Sequence, residues 1–397
     1  MRLEGTHRAR IDSIDLLRGV VVILMALDHV RMYFAQGSWY ANPTDLRTTT
    51  TLLFLTRWVT HSCAPVFIFL AGTSAFLYGA RQQNTRQLSR YLLTRGLWLI
   101  FLELAVVGFG WTFDITFSLQ IFQVIWAIGV SMVVLAALVY LPKWAILAFG
   151  IVLVSGHNLL DSIQMDGTST PALIWYLLHQ VKFVAFGPDR AVYFHYPLIP
   201  LVGLMALGYV SGTLYKPEYD ASARRKWLVW TGTAAILLFL LLRGFNLYGD
   251  PNPWSLQPTL VNSILSFLNT TKYPASLHFV LMTIGPALVF LALTEGTRNR
   301  ITDLVLTYGR VPQFFYIVHI YVIHILALVA LVISGHRWSE YVYSARAFMS
   351  ETLADFGFAL PVVYLVWVLV MVGMYPLCKW YRAYKKSHPE LTLLKYI

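Results

Sequence analysis

Arg10 to Arg31 read RIDSIDLLRGVVVILMALDHVR: a charged collar, an apolar helix, then Asp28, His29 and Arg31 where a spanning helix should stay apolar. If the apolar run enters a bilayer near Leu16 and rises about 1.5 Å per residue, His29 lies roughly 20 Å in, past the midplane of a core about 30 Å thick. A carboxylate, an imidazole and a guanidinium in that zone are costly unless they face one another or a polar cavity, so their default reading is functional. A helix that simply ended at the headgroups would also place DHVR there. Against that, Met32, Tyr33 and Phe34 carry the apolar pattern onward.

Composition sets the class. The chain is 57% hydrophobic and 12% charged, with a mean hydropathy of +0.61, whereas a soluble domain carries about a quarter of its residues charged. This is the composition of an all-α polytopic membrane bundle. The net charge of +11 sits in short basic blocks between apolar runs, as in the cytoplasmic loops of membrane proteins, and nucleic acid is excluded as a partner on that ground. The basic residues before the first apolar run resemble the start of a signal peptide, but no small-residue cleavage site follows, so the run reads as a retained first helix. Cys63 and Cys378 fall at opposite ends of different spans, which implies neither a disulfide nor a thiolate metal site.

The hydropathy pattern places spans at about 16–36, 52–79, 93–112, 120–140, 143–160, 192–215, 227–243, 274–294, 311–334 and 357–378. Interfacial amphipathic helices are expected at Pro171 to Gly187 and at Thr259 to Leu268, roofing a cavity, with GDPNPW at Gly249 to Trp254 as a turn between them. With the N-terminus inside, most of the 30 lysines and arginines fall on the inner side, among them Arg2, Arg8, Arg10, Arg18, Arg81, Arg86, Arg90, Arg95, Arg310 and Lys395. Both termini are therefore expected in the cytoplasm of a cell whose inner membrane holds the protein, with 1–15 and 379–397 as tails of one membrane domain. No internal repeat and no low-complexity segment is evident.

Counting depth from each expected span end puts His61 of the second span and His324 of the ninth near the level of His29, with Arg57 about a turn nearer the outer face and His319 more than a turn nearer the cytoplasm. Lys272 and His278 stand at the outer end of the eighth span, His195 at that of the sixth, and Glu103 is mid-span in the third. Each residue also has a plain role open to it. Buried histidines such as His278 and His319 serve as interhelical hydrogen-bond partners. Arg57 beside Trp58 and Lys272 serve as interface anchors, and Glu103 as a protonated structural acid. His319 and His324, five apart, diverge by about 140° on a helix, which disfavours a metal there.

The run Ser13-Ile14-Asp15-Leu16-Leu17-Arg18-Gly19, continued by Ile23-Leu24-Met25, resembles the opening helix of the heparan-alpha-glucosaminide N-acetyltransferase family of multi-span membrane acyltransferases. Pro65 to Ser74, PVFIFLAGTS, is similar to the family's second helix, and the GRVP stretch from Gly309 to Pro312 supports the likeness, which covers about a third of the chain. The spacing from Arg18 to His29 is similar to that of the related acyltransferase-3 families, in which the histidine is thought to be catalytic. The chain departs from the animal lysosomal members, where the position of His29 is similar to an asparagine and the catalytic histidine lies in the following loop; here that loop offers Gln36, Ser38 and Trp39 instead.

The resemblance implies transfer of an acetyl or other short acyl group, with acetyl-CoA as co-substrate and no metal, from the cytosol to an amine or hydroxyl of a glycan or lipid-linked sugar across the bilayer. It makes His29 the general base, with Asp28, His61 and Arg57 orienting it or meeting the oxyanion. Arg18, Arg81, Arg90 and Arg310 are then candidates for the CoA phosphates, though positive-inside topology alone also places them there. Lys272, His278, His324 and Glu103 are candidates for the acceptor. A homodimer is compatible with this reading. A proton-coupled secondary transporter of a small polar solute would use the same buried histidines and Glu103 as relays, and would show broken helices at mid-depth and a repeat, neither of which the sequence displays. A purely structural or lipid-sensing membrane protein is the third reading.

Overall fold

A computed structural model of the protein describes residues 11–216, 218–351, 353, 356–391 and 394. Arg2, Arg8, Arg10 and Lys395 of the expected inner basic set lie outside the described residues. Helix α1 (Asp12–Phe34) stands at the centre and packs on six other helices. The next apolar run is α2 (Thr51–Thr60) and α3 (Cys63–Gln82), followed by α4 (Thr85–Phe101), a π-helical turn at Leu102–Val107 and α5 (Gly108–Thr112). Then come α6 (Val124–Leu138), α7 (Lys143–Gly156), α8 (Thr170–Leu178), α9 (Leu198–Ser211), α10 (Ala221–Gly244), α11 (Leu260–Leu268) and α12 (Leu277–Leu293). The chain closes with α13 (Arg300–Gly309), α14 (Pro312–Ile333), α15 (Ala345–Met349) and α16 (Leu360–Ser387).

Seven helical stretches among the described residues are long and apolar enough to cross a membrane, and α6 and α12 are shorter apolar helices. With the charge-bearing α1 they occupy the ten expected span positions, an all-α polytopic membrane bundle. Helix starts follow side-chain chemistry. Asn84 accepts from the Gln87 N–H at 3.1 Å after Gln83 turns the chain at φ +52°, Asp220 caps α10, and Asn299 with Thr302 forms a capping box on α13. Pro312 opens α14, where its missing N–H is not needed.

With little hydrophobic force between helices in lipid, small residues decide where backbones approach. A Cβ added at Gly72 would lie 2.1 Å from the Met205 carbonyl oxygen, and one at Gly208 2.0 Å from that of Phe69, so α3 and α9 cross in backbone contact. Gly96 with Gly129, Gly150 with Gly203, and Gly232 with Gly285 repeat the device between α4 and α6, α7 and α9, and α10 and α12. Gly309 at the end of α13 closes on α1, where a Cβ would lie 1.8 Å from the Asp15 carbonyl oxygen.

At the end where α1 finishes, the connections interlock into a roof. It holds a three-stranded sheet absent from the sequence reading. Strand β3 (Ala191–Phe194) pairs parallel with β1 (Leu119–Phe122) and antiparallel with β2 (Lys182–Ala185). The sheet corrects three expectations. The span set at 120–140 starts only at Val124, the one set at 192–215 starts at Leu198, and the helix expected over Pro171 to Gly187 stops at Leu178. Each strand is only four residues long and largely apolar, so in sequence β1 and β3 read as the first turn of the helix that follows and β2 as the tail of the helix before it. The expected short helix at Thr259 to Leu268 is present, capped by Thr259. Buried Arg243 donates to the carbonyls of Ser266, Phe267, Asn269 and Asn252 at 2.7–3.0 Å, tying α10 to the end of α11.

Two further corrections bear on function. The span expected at 52–79 is broken at His61 and Ser62, between α2 and α3, and the third span begins at Thr85 and changes to π-helix at Leu102. The expectation of unbroken spans is thus overturned. Helix α1 starts at Asp12 and α16 runs to Ser387, so both helices continue into the stretches expected as tails.

Asp166 and Asp220 are exposed at opposite ends of the bundle, whereas Cys63 and Cys378 are buried and free. A membrane-impermeant maleimide is expected to label Asp166→Cys in intact cells and Asp220→Cys only after permeabilisation. The reverse pattern would invert the orientation that the basic loops imply.

Candidate active site

His29 is 8% exposed, and its hydrogen-bond and ring partners are His319, Trp111 and Tyr316. His29 Nδ1 lies 2.8 Å from His319 Nε2, and His319 Nδ1 lies 2.8 Å from the Phe315 carbonyl oxygen. Hydrogens are assigned from these partners. A carbonyl only accepts, so His319 Nδ1 carries the proton. In the neutral ring His319 Nε2 then accepts, and His29 Nδ1 is the donor to it. That leaves His29 Nε2 as the basic nitrogen, with no hydrogen-bond partner among the described residues. This is the arrangement of a general base held in one tautomer by a second group behind it.

The depth count misplaces His319 and His324. Helix α13 packs on the first turns of α1 and lifts the start of α14 into the bundle, so His319, seven residues along α14, meets His29, seventeen residues along α1. His324 is carried one level higher, where its ring stacks on Phe113 at 3.8 Å and its two nitrogens face the Gly110 and Tyr341 carbonyl oxygens at 2.9 and 3.0 Å. A neutral imidazole has one N–H, so His324 donates to one of these two carbonyls, and both backbone neighbours place it in the roof.

Asp28 points to another partner set. It accepts from Arg31 at 3.1 and 3.3 Å and is ion-paired with Arg57. Two guanidiniums on one carboxylate leave this cluster net positive beside His29. Asp28 is therefore turned to Arg31, one turn on along α1, and not to the imidazole. His61 caps α2 next to Arg57, 4% exposed, with its ring 5.5 Å from that of Phe279. Lys272 lies over the Tyr273 ring, and Tyr273 donates to Tyr196 at 3.1 Å. Lys272, Tyr273 and Tyr196 line a small crevice with Pro65 and Phe279.

On the other side of His29 a cavity of about 230 Å³ runs between α1, α3, α4, α6 and α14. Met25, one turn below His29, and Tyr316 form its inner end, and Arg18, Arg95, Ser74, Tyr91 and Gln313 its mouth. Arg18 bonds Ser74 and Asp15, the latter at 2.8 Å, and Arg95 bonds Gln313. Of the arginines expected to hold phosphate, Arg18 lines the cavity, Arg81 and Arg90 are exposed, and Arg310 is paired with Asp12 at 2.8 Å. Arg95, one of the wider inner basic set, joins Arg18 at the mouth.

Two other candidates lie apart from the His29 pair. Glu103 Oε2 accepts from the Ile125 and Trp126 N–H groups at 2.9 and 3.2 Å, so the carboxylate caps the N-terminus of α6. His278 is 1% exposed beneath the turn at Gly249; its backbone N–H donates to the Gly249 carbonyl at 3.1 Å, while neither ring nitrogen makes a hydrogen bond among the described residues. The sequence reading also misses Trp111, Tyr316 and Ser74, whose only signal is their place on faces that meet α1.

The spacing of His319 and His324 speaks against a metal on α14 but does not address His157, Asp161 and His179, whose donor atoms all lie within 4.8 Å of one another. His157 and Asp161 stand at i and i+4, the spacing that was readable in the sequence.

Fold and site together define a polytopic helical membrane protein with a hydrogen-bonded pair of imidazoles at its centre, near a cavity and a charged cluster. Residues 10–244 match the family described as heparan-alpha-glucosaminide N-acetyltransferase, catalytic. That is well over half of the chain, and the chain belongs to this family of membrane transferases. No curated protein matches it as a relative. The matched region contains His29, Asp28, Arg57, His61 and Arg18; His319 lies beyond it.

Because Glu103 caps α6, Glu103→Ala is expected to lower stability by about 0.5–2 kcal/mol, read as a lower Tm in detergent, while Glu103→Gln keeps an accepting oxygen and restores most of it. Loss of transfer in Glu103→Gln at unchanged Tm would show instead that the carboxylate itself takes part in the chemistry.

Proposed function

We propose that this protein moves an acetyl or similarly short acyl group from acyl-CoA, admitted at the Arg18 end, to an amine or hydroxyl of a glycan or glycolipid sugar presented from the roof side. The family supplies the reaction class, and the observation that carries the reading is the His29 and His319 pair lying directly behind Tyr316, which closes the inner end of an arginine-mouthed cavity. The cavity is walled by Phe67, Leu99, Ile128 and Met132, which suits the pantetheine arm. Arg18 and Arg95 at the mouth, with exposed Arg81 and Arg90 outside it, meet the phosphates.

In the transfer step, His29 Nε2 takes the proton from the acceptor as its nitrogen or oxygen attacks the thioester carbonyl. The new bond forms, the C–S bond breaks, and the imidazolium returns its proton to the CoA thiolate. His319 holds the tautomer through His29 Nδ1, and the net positive cluster of Arg31, Asp28 and Arg57 favours the oxyanion. Lys272, Tyr273 and Tyr196 receive the acceptor, with His61 beside them.

A secondary transporter is favoured by one observation, the helix break at His61 and Ser62. It is separated by product: a transporter moves its solute unchanged.

The two ends of the site give separable readouts. With acetyl-CoA and glucosamine as probes, His29→Ala is expected to lower kcat by about 10²- to 10⁴-fold while the protein still binds CoA. Arg18→Ala should raise the KM for acetyl-CoA and leave that for the acceptor unchanged, because it touches only the remote part of the donor. Normal turnover in His29→Ala would remove the base from α1.

A further inference from the structure

We infer that His157, Asp161 and His179 form a binding site for a divalent transition-metal cation of the Zn²⁺ class, a staple that fastens the roof to the bundle. The three residues come from two pieces of backbone: His157 and Asp161 open and close the turn that follows α7, and His179 follows α8. His179 Nε2 lies 3.2 Å from Asp161 Oδ1, and one donor atom from each of the three residues lies within 4.8 Å of the others. In a tetrahedral site with bonds of about 2.0–2.1 Å, neighbouring ligand atoms stand about 3.3 Å apart. One edge therefore already has its length, and the third ligand needs only a small closing movement.

A hydrogen-bonded Asp and His pair alone does not account for His157. That ring is 2% exposed, and neither of its nitrogens makes a hydrogen bond. Burying an imidazole with both nitrogens unsatisfied is costly, and the same ring sits edge-on to His179 at 5.3 Å. A cation between them satisfies one nitrogen of each histidine.

The surrounding contacts match what a metal ligand needs. Asn158 donates to Asp161 Oδ2 at 2.8 Å, leaving Oδ1 directed at the histidines. The same Asn158 side chain accepts from the Leu277 N–H at 3.0 Å, so the site is coupled to the first turn of α12. Two imidazoles and one carboxylate suit Zn²⁺ and its neighbours over Mg²⁺ or Ca²⁺, which take oxygen ligands. The Asp161 side chain is 19% exposed, so a fourth position opens to water on the roof side. The site lies apart from His29 and does not depend on how the transfer reaction is assigned.

The test uses the full chain without a polyhistidine tag, in detergent, stripped with EDTA and titrated with Co²⁺ and then Zn²⁺. One equivalent of Co²⁺ should give the visible absorption of a four-coordinate ion, Zn²⁺ should displace it, and Zn²⁺ should raise Tm. The double variant His157→Gln, His179→Gln should lose both signals. Asp161→Asn, at a less buried position, should weaken Co²⁺ binding by about tenfold or more while remaining folded. Folded wild-type protein with neither an absorption band nor a Tm shift would overturn the site, as would a band of unchanged affinity in Asp161→Asn or in a folded double variant.

Discussion

Asp28 can remain inside this bundle because Arg31 and Arg57 meet it there, and most of the functional geometry depends on that triple contact. A lone carboxylate or guanidinium at such depth would cost several kcal/mol, and removing Asp28 would leave two guanidiniums side by side with no counter-charge. Satisfied together, the three groups join α1 to α2 just below the break at His61. They also hold α1 in the rotation that turns His29, the next residue after Asp28, away from the charges and onto α14. Adjacent residues on a helix diverge by about 100°, so one helix supplies an ion cluster on one side and a base on another.

The scaffold makes that division precise enough for chemistry. Glycine pairs bring α3 against α9 and α4 against α6 at backbone distance, which fixes the walls of the cavity below His29. Above it, the sheet, His324 and Arg243 lock the roof connections to helix ends. The base thus stands between a narrow apolar passage with a basic mouth and an aromatic, positively charged crevice. A reaction between a CoA thioester on one side of a membrane and a polar acceptor on the other requires such a two-ended site. A polar relay open to one side only would not serve it.

Much of the fold was legible because spans are long and apolar, and their number and order follow from hydropathy. What was not legible involves short elements and contacts between distant elements. Four-residue strands beside apolar helices carry no period that separates them from a helix start. The partner of His29 escaped because depth was counted along each helix from its own end, whereas α13 raises α14 against α1. Glu103 looked like a buried acid awaiting a role, since the α6 amides that it caps follow a further turn and a strand. Asp28, His29 and Arg57 stood out in the sequence because their types are wrong for their positions. His157 and Asp161 also carried a readable spacing, but His179 joins them only through the fold of the roof.

The central claim is that one site serves two sides of the membrane, and vectorial transfer in sealed proteoliposomes of known orientation tests it most directly. With acetyl-CoA confined to the Arg18 side and glucosamine to the roof side, the account predicts acetylated sugar on the roof side, and none when acetyl-CoA is supplied at the roof instead. Acetylated sugar formed only where donor and acceptor share a compartment, or glucosamine crossing the membrane unmodified, would contradict it.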